Sequence, residues 1–369
     1  MTGHFSAHRA IATVDTAAIQ HNFSLLRQHA SKNGRAPRLI AVVKANAYGH
    51  GTALAVPALT AAGCDFFAVA TLEEALNVHL LAPKADILIL GYTPPSKAAL
   101  LAEARITQTV FSPEYAIALS KSAKNRPVSV HIKIDCGMHR LGFAPDALEE
   151  VATVAALPGL CATGLYTHFP AADTDLAATR CAFSRFLRCR EQLEAKGLRF
   201  FCHTAASAAL LALPETVLDA ARPGLALYGI PPVSTPLPLR PAMALLAPIV
   251  QIHEVPAGVP VGYGGAFVTK GQSRIGVCPI GYADGYPRGA ENVPITLLHQ
   301  NQTFSIPVAG HICMDQTMVD LSETPAEVGD HILFWQDPRP LARHLHTIPY
   351  EILTAVSCRV ERKKKGAPL

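Results

Sequence analysis

The chain has 369 residues, half of them hydrophobic and 16% charged, with a formal net charge of +4 and a pI near 8.5. That size allows one large domain and a smaller one, and the mild basic excess, part of it in the terminal run CRVERKKKG, leaves no electrostatic footprint for nucleic acid. Nine dispersed cysteines without a C-x-x-C argue against a disulfide scaffold or a metal knuckle, and neither the opening MTGHFSAHRAIATVDTAAIQHN nor any later run is apolar enough for export or membrane insertion, so the expectation is a soluble, cytoplasmic protein with reduced thiols and no membrane partner.

In chain order, Leu39-Ile-Ala-Val-Val43 predicts a strand buried on both faces, and it ends on Lys44 in AVVKANAYGHG (41–51). An ammonium at a strand end is costly unless it is solvated, paired or chemically used. Taken alone, it reads as a lysine reaching into water. DFFAVA (65–70) leads into TLEEALNVHLL, where Thr71 and Glu74 have capping-box spacing and Leu72, Ala75, Leu76 and His79 follow a helical stripe. ADILILG (85–91), ITQTVF (106–111), VSVHIKID (128–135), LCATGLYTH (160–168), LRFFCH (198–203) and VLDAARPGLALYG (217–229) supply further strands, with helical stretches such as SKAALLAEA between.

Eight such repeats predict a (β/α)₈ barrel of the TIM type; pattern alone leaves a doubly wound open sheet as the alternative. The expected division is a barrel over 13–233, a β-rich domain over 234–369, and an N-terminal strand within 1–12 joining the latter. Between them, PPVSTPLPLRP (231–241) reads as a linker, and the texture beyond it is short β runs broken by Gly and Pro.

In such a barrel, chemistry gathers at the carboxyl ends of the strands. Those ends carry Lys44 and Tyr48, Lys133 to Arg140, His168, Ser207, and Arg222 with Gly224. Each has a bland reading: His168 as a satisfied structural histidine, Ser207 as a helix cap, Arg222 as the partner of a carboxylate such as Asp219. Convergence on one rim favours a site. The loops after the last two strands are where barrels often hold phosphate, and a lysine facing a phosphate site is what pyridoxal phosphate chemistry requires.

At these residues the chain resembles the alanine racemase family of fold-type III pyridoxal phosphate enzymes. Besides AVVKANAYGHG, the blocks KIDCGMHRLG, THFPAAD, RPGLALYG, VGYGGAF, GYADGYPR, GHICMDQTMVD and PYEILTAVSCRVER resemble that family's, in its order, over almost the whole length. The resemblance implies that Lys44 carries pyridoxal phosphate and serves as one base, with Tyr263 as the other. It implies that Tyr48, Ser207, Tyr350 and the backbone around Gly224 and Leu225 hold the phosphate, that Arg222 faces the pyridine nitrogen, and that His168 orients Arg222. Arg140 would bind the substrate carboxylate and touch the cofactor, a carbamylated Lys133 would hold Arg140, Met314 would bind substrate through its backbone, and Tyr282 would shape access. It further implies a head-to-tail homodimer in which Tyr263 and the Met314 segment come from the partner subunit, and no metal. One departure is Ala206 in HTAASAAL, where many members have Asn, which removes an amide contact near the cofactor.

Racemisation takes the α-proton from one face and returns one on the other, so two bases are needed, and Lys and Tyr must both be shifted or charge-coupled to act near neutrality. A guanidinium opposite the pyridine nitrogen keeps that nitrogen unprotonated and limits the ring as an electron sink. Three rivals stand beside this reading. A basic amino-acid decarboxylase would typically have a carboxylate in place of Arg222 and lack the Tyr263 base. A cofactor carrier would lose the resemblance near the linker. Racemisation of serine instead of alanine turns on pocket size, a discrimination worth only ~1–3 kcal/mol. Cell-wall D-alanine supply and alanine catabolism both remain open as the cellular role.

Overall fold

A computed structural model describes residues 9–31, 36–123 and 126–367. Residues 1–8 of the expected N-terminal segment and the last two of the expected C-terminal domain lie outside the described residues. The chain forms two compact units: Ala17–Ala47 with Thr52–Arg240, and the described residues up to Thr16 with Tyr48–Gly51 and everything from Pro241 onward. All nine cysteines are free, and among the described residues no helix is long and apolar enough to cross a membrane.

The first unit is an eight-stranded parallel barrel, and its first strand explains the closure. That strand is divided at Ile40 into Arg38–Leu39 and Ala41–Val42, which the strand order counts separately to give nine. Its first half pairs with Ala220–Arg222, the last strand, and its second half with Phe66–Val69, the next one. Ile40 N–H donates to Ala221 O at 2.8 Å and Val43 N–H to Ala68 O at 2.9 Å, so one strand borders both ends of the sheet. Asp86–Ile89, Thr107–Val110, Val128–Lys133, Leu160–Tyr166 and Phe201–Ala206 complete the ring. The seventh strand starts and ends three residues later than the run 198–203 suggests, because the residues that pair with its neighbour are Phe201, Cys202 and His203. The ring excludes the open doubly wound sheet.

The helices between the strands start at defined side-chain caps. Helix Leu72–Leu81 has the expected capping box: Thr71 Oγ1 accepts from Glu74 N–H, and Glu74 returns an oxygen to the Thr71 N–H. Asp175 caps the long helix Leu176–Ala195 in the same way through Ala178 N–H.

One level of the barrel interior is polar. Thr109 Oγ1 and Tyr166 OH share a hydrogen bond of 2.9 Å, the Tyr166 ring stacks on His203 with centroids 4.7 Å apart, and the Arg222 guanidinium lies 5.1 Å from the Tyr166 ring. His131 fits beside them because Gly164 faces it; a Cβ at Gly164 would collide with the imidazole.

The second unit is mainly β. Its six-stranded sheet runs in the order Gln302–Ile306, Ile295–His299, His331–Trp335, Met243–Pro248, Ile11–Val14, Glu361–Lys364. Ile11–Val14 is antiparallel to Met243–Pro248 and parallel to Glu361–Lys364, so the start of the chain is stitched between two C-terminal strands. A three-stranded sheet of Gln251–Val255, Ser273–Cys278 and Thr317–Asp320 and the short hairpin Pro260–Val261 with Phe267–Val268 make up the rest of its β structure.

Candidate active site

Lys44 stands where the first barrel strand ends, and the chain then turns sharply. Ala45, Asn46, Ala47 and Tyr48 have φ of 53°, 53°, 55° and 52°, a left-handed turn of four L-residues. Each costs roughly 1–2 kcal/mol relative to right-handed geometry, so the surroundings must hold it. Three bonds do so: Glu74 Oε1 accepts Ala45 N–H at 2.6 Å, Asn46 Oδ1 accepts Thr52 N–H at 2.8 Å, and Ala47 N–H donates to Val43 O at 2.9 Å. The Lys44 amine is pulled below its ordinary value by burial and by the Arg140 guanidinium, with Glu74 opposing.

Lys133 closes the Val128–Lys133 strand and is 4% exposed, its amine making no hydrogen bond to the described residues. Burial, helped by Arg140, takes it down to about 8. The loop after it is pinned at its neck, where Phe143 N–H donates to Lys133 O and Asp135 N–H to Phe143 O, both at 2.8 Å. Inside the loop, Asp135 Oδ1 accepts the N–H groups of Gly137, Met138 and His139 at 2.9, 2.8 and 3.1 Å. Arg140 follows directly, exposed and without a hydrogen bond or ion pair to the described residues.

Arg222 is 3% exposed and has no carboxylate beside it. Nη1 donates to His203 Nδ1 and His203 O at 2.6 and 2.7 Å, and Nη2 to Thr167 O and Thr204 O at 2.6 and 3.0 Å. The four terminal hydrogens are thus used by the barrel, and Nε–H is the donor that remains. Burial lowers the guanidinium to about 10, so it stays cationic at neutral pH. The bland pairing with Asp219 does not occur, since that carboxylate accepts Cys202 N–H instead.

His168 follows the sixth strand, half-buried, and is held down to about 3 by burial and by Arg222, Arg140, Lys133 and Lys44, which keeps it neutral. It makes no hydrogen bond to Arg222. The histidine hydrogen-bonded to Arg222 is His203, which sequence reading passed over.

Ser207 is the first residue of helix Ser207–Ala212 and does not cap it. Its Oγ accepts Gly224 N–H at 2.9 Å and Ala226 N–H at 3.3 Å, leaving the hydroxyl hydrogen to donate. Leu225 N–H, between them, makes no hydrogen bond to the described residues. Ala206 lies opposite Arg222 in strand register.

In the second unit, Tyr48 and Tyr350 stand with ring centroids 5.9 Å apart, Tyr48 buried and its hydroxyl pushed up by desolvation and by Tyr350. Tyr263 lies at the tip of the Pro260–Val268 hairpin, 74% exposed, and its turn needs the positive φ of Gly262, Gly264 and Gly265. Tyr282 and Met314 are also exposed, and they are neighbours: Tyr282 N–H donates to Cys313 O at 3.1 Å and Ala283 N–H to Met314 O at 3.0 Å. A Cβ at Gly281 would strike both carbonyls, so glycine permits that approach.

The signal for the overlooked histidine lay in strand parity. His131 and Lys133 alternate onto one face of their strand, and a histidine in FFCHTAA sits at the corresponding depth two strands on; its Nε2 is 2.8 Å from His131 Nδ1. No local pattern announced Glu74 as a neighbour of Ala45, because the contact spans 29 residues.

A parallel barrel with an amine softened by burial and a carboxylate-free guanidinium at its strand ends, followed in the chain by a separate β domain, defines a two-domain barrel protein with a candidate active site at the barrel's strand ends. The alanine racemase N-terminal domain model matches residues 14–232, and the alanine racemase C-terminal domain model matches 242–364. The chain is 40% identical over 364 residues to the alanine racemase of Desulfovibrio desulfuricans, covering 95% of this chain and 96% of that one. It superposes on the alanine racemase of Clostridium difficile with a TM-score of 0.89 at 31% identity, covering 96% and 94% of the two chains. For the biosynthetic alanine racemase of Pseudomonas aeruginosa the TM-score is 0.83 at 37% identity, covering 97% and 99%. The chain belongs to the alanine racemase family.

Proposed function

We infer that the reaction is that of the family, the interconversion of L-alanine and D-alanine. We propose that Lys44 and Tyr263 are the two bases on opposite faces of the substrate, and that Lys44 would also hold pyridoxal phosphate between turnovers, its amine being freed for proton transfer when substrate replaces it on the cofactor. When bound, that cofactor delocalises the charge left on the substrate's α-carbon. The residues suit it: a lysine depressed toward its neutral form, an arginine whose Nε–H alone is uncommitted for a ring nitrogen, and a Ser207 hydroxyl with the Leu225 N–H for phosphate oxygens. The observation that carries the reading is Arg222, buried among neutral acceptors only, which supports racemisation over decarboxylation.

Lys44 holds and returns the α-proton at Nζ on one face, and the Tyr263 phenol does so at Oη on the other. Arg140, lacking any other anionic partner, binds the substrate carboxylate. Lys133 is carbamylated, which converts a partnerless buried amine into an anion for Arg140. Tyr48 and Tyr350 add hydroxyls for the phosphate, His168 stays neutral beside Arg222, and Met314 and Tyr282 define access. The exposure of Tyr263 supports a homodimer in which it serves the partner subunit's Lys44. The cofactor assignment is tested by treating the protein with pyridoxal phosphate and borohydride and mapping the labelled peptide. The label is expected on Lys44; a label elsewhere, or an undiminished label in Lys44→Ala, rejects the assignment.

A further inference from the structure

The capping-box residue Glu74 does more than start its helix. Oε2 accepts Ala70 N–H at 2.8 Å and Thr71 N–H at 3.3 Å, which is the cap. Oε1 reaches back to the preceding strand end and accepts Ala45 N–H at 2.6 Å, the first peptide after Lys44. One carboxylate therefore gathers three backbone donors from the ends of two adjacent barrel strands. Ala45 opens the left-handed turn at φ 53°, a conformation that alanine does not adopt unless held. A charged acceptor makes a shorter and stronger bond than a neutral one, and here it acts on the peptide that sets the direction of the Lys44 side chain.

We propose that Glu74 is a positioning residue for Lys44, its Oε1 holding the left-handed turn that aims the amine. This rests on the reading of Lys44 as the cofactor lysine. Helix capping alone predicts something different, and Thr71 separates the two. Thr71→Ala removes the other half of the box, the Thr71 Oγ1 bond to Glu74 N–H at 3.2 Å, without touching Ala45.

The test compares apoenzymes of wild type, Thr71→Ala, Glu74→Ala and Glu74→Gln for the rate at which added pyridoxal phosphate attaches to Lys44, trapped by borohydride, together with melting temperature. If a competent turn must be populated before attachment, losing the tether reduces the rate by the lost fraction, on the order of tenfold for Glu74→Ala. Thr71→Ala should lower the melting temperature comparably and change the rate less than about twofold. Glu74→Gln, which keeps one oxygen acceptor, should fall between, and it carries the test if Glu74→Ala does not fold. Equal rates in Thr71→Ala and the Glu74 variants would overturn the inference while leaving the cofactor lysine intact. Failure of wild type to attach at Lys44 would remove the cofactor reading and the inference with it.

Discussion

Arg222 donates from Nη1 to His203 Nδ1 at 2.6 Å, and this bond fixes more than one group. A guanidinium has no acceptor, so Nδ1 must be the unprotonated nitrogen of His203. The proton then sits on Nε2, which donates to His131 Nδ1 at 2.8 Å. One cation thereby sets the tautomers of two buried imidazoles and is itself immobilised. Replacing Arg222 with Glu would aim a carboxylate at the carbonyls of Thr167, His203 and Thr204, now acceptors without donors. The Glu variant should be less stable, and a carboxylate at the ring nitrogen should favour its protonation. Pyruvate formed from alanine, relative to racemisation, should rise about tenfold, a barrier difference of only ~1.4 kcal/mol. An unchanged ratio would contradict this account of reaction control.

The same histidines govern acid stability. Burial, then Arg222, hold His131 at about 3 against an ordinary value of 6.5, and His203 is depressed well below that value by burial, Arg222 and His131. Below pH 6.5 the unfolded chain binds protons that the folded one refuses, so stability falls as pH drops from there toward 3. Denaturant titrations should show a midpoint that declines through this window, with a slope approaching one proton per depressed histidine. His131→Gln should flatten that slope. A slope that does not respond would mean that other groups dominate.

Much of this was legible in the sequence, for identifiable reasons. Strand runs such as Phe66–Val69 and Asp86–Ile89 stand out because both their faces are buried, and the Thr71–Glu74 box because it is local. Lys44, Lys133, Ser207 and Arg222 could be found at strand ends because a barrel collects chemistry there. The connections between those ends could not. His203 sits in an apolar strand and looks like core until Arg222 is brought against it, and Ser207 looks like a cap until Gly224 and Ala226 turn their N–H groups toward it. The left-handed turn after Lys44 is hidden for a different reason: Ala45 and Ala47 carry no preference for positive φ, and the bond that holds Ala45 comes from Glu74, 29 residues further on.

Lys133 offers a chemical prediction. With its amine at about 8 and no partner, an appreciable fraction is neutral and nucleophilic near pH 8. Incubation with carbon-13 bicarbonate should give a carbamate resonance that Lys133→Met abolishes, and that variant should raise KM for alanine about tenfold as Arg140 loses its anion. A resonance that persists in Lys133→Met would place the modification elsewhere.

Shared sites predict complementation between defective chains. Lys44→Ala and Tyr263→Phe homodimers should each be nearly inactive. Mixed and allowed to exchange subunits, the hybrid holds one site with both bases intact, so about a quarter of wild-type activity is expected for a random mixture in which half the dimers are hybrids. Exchange verified by mass, with no recovered activity, would contradict a tyrosine contributed by the partner.

The central claim is proton removal on one face and return on the other, by Lys44 and Tyr263. Its most direct measurement is incubation with L-alanine in heavy water, following α-deuterium and the D-isomer together. D-alanine should appear carrying deuterium at the α-carbon, and either single variant at Lys44 or Tyr263 should abolish net inversion. Inversion that persists without Tyr263, or an L-alanine pool that neither exchanges nor inverts with the intact protein, would contradict it.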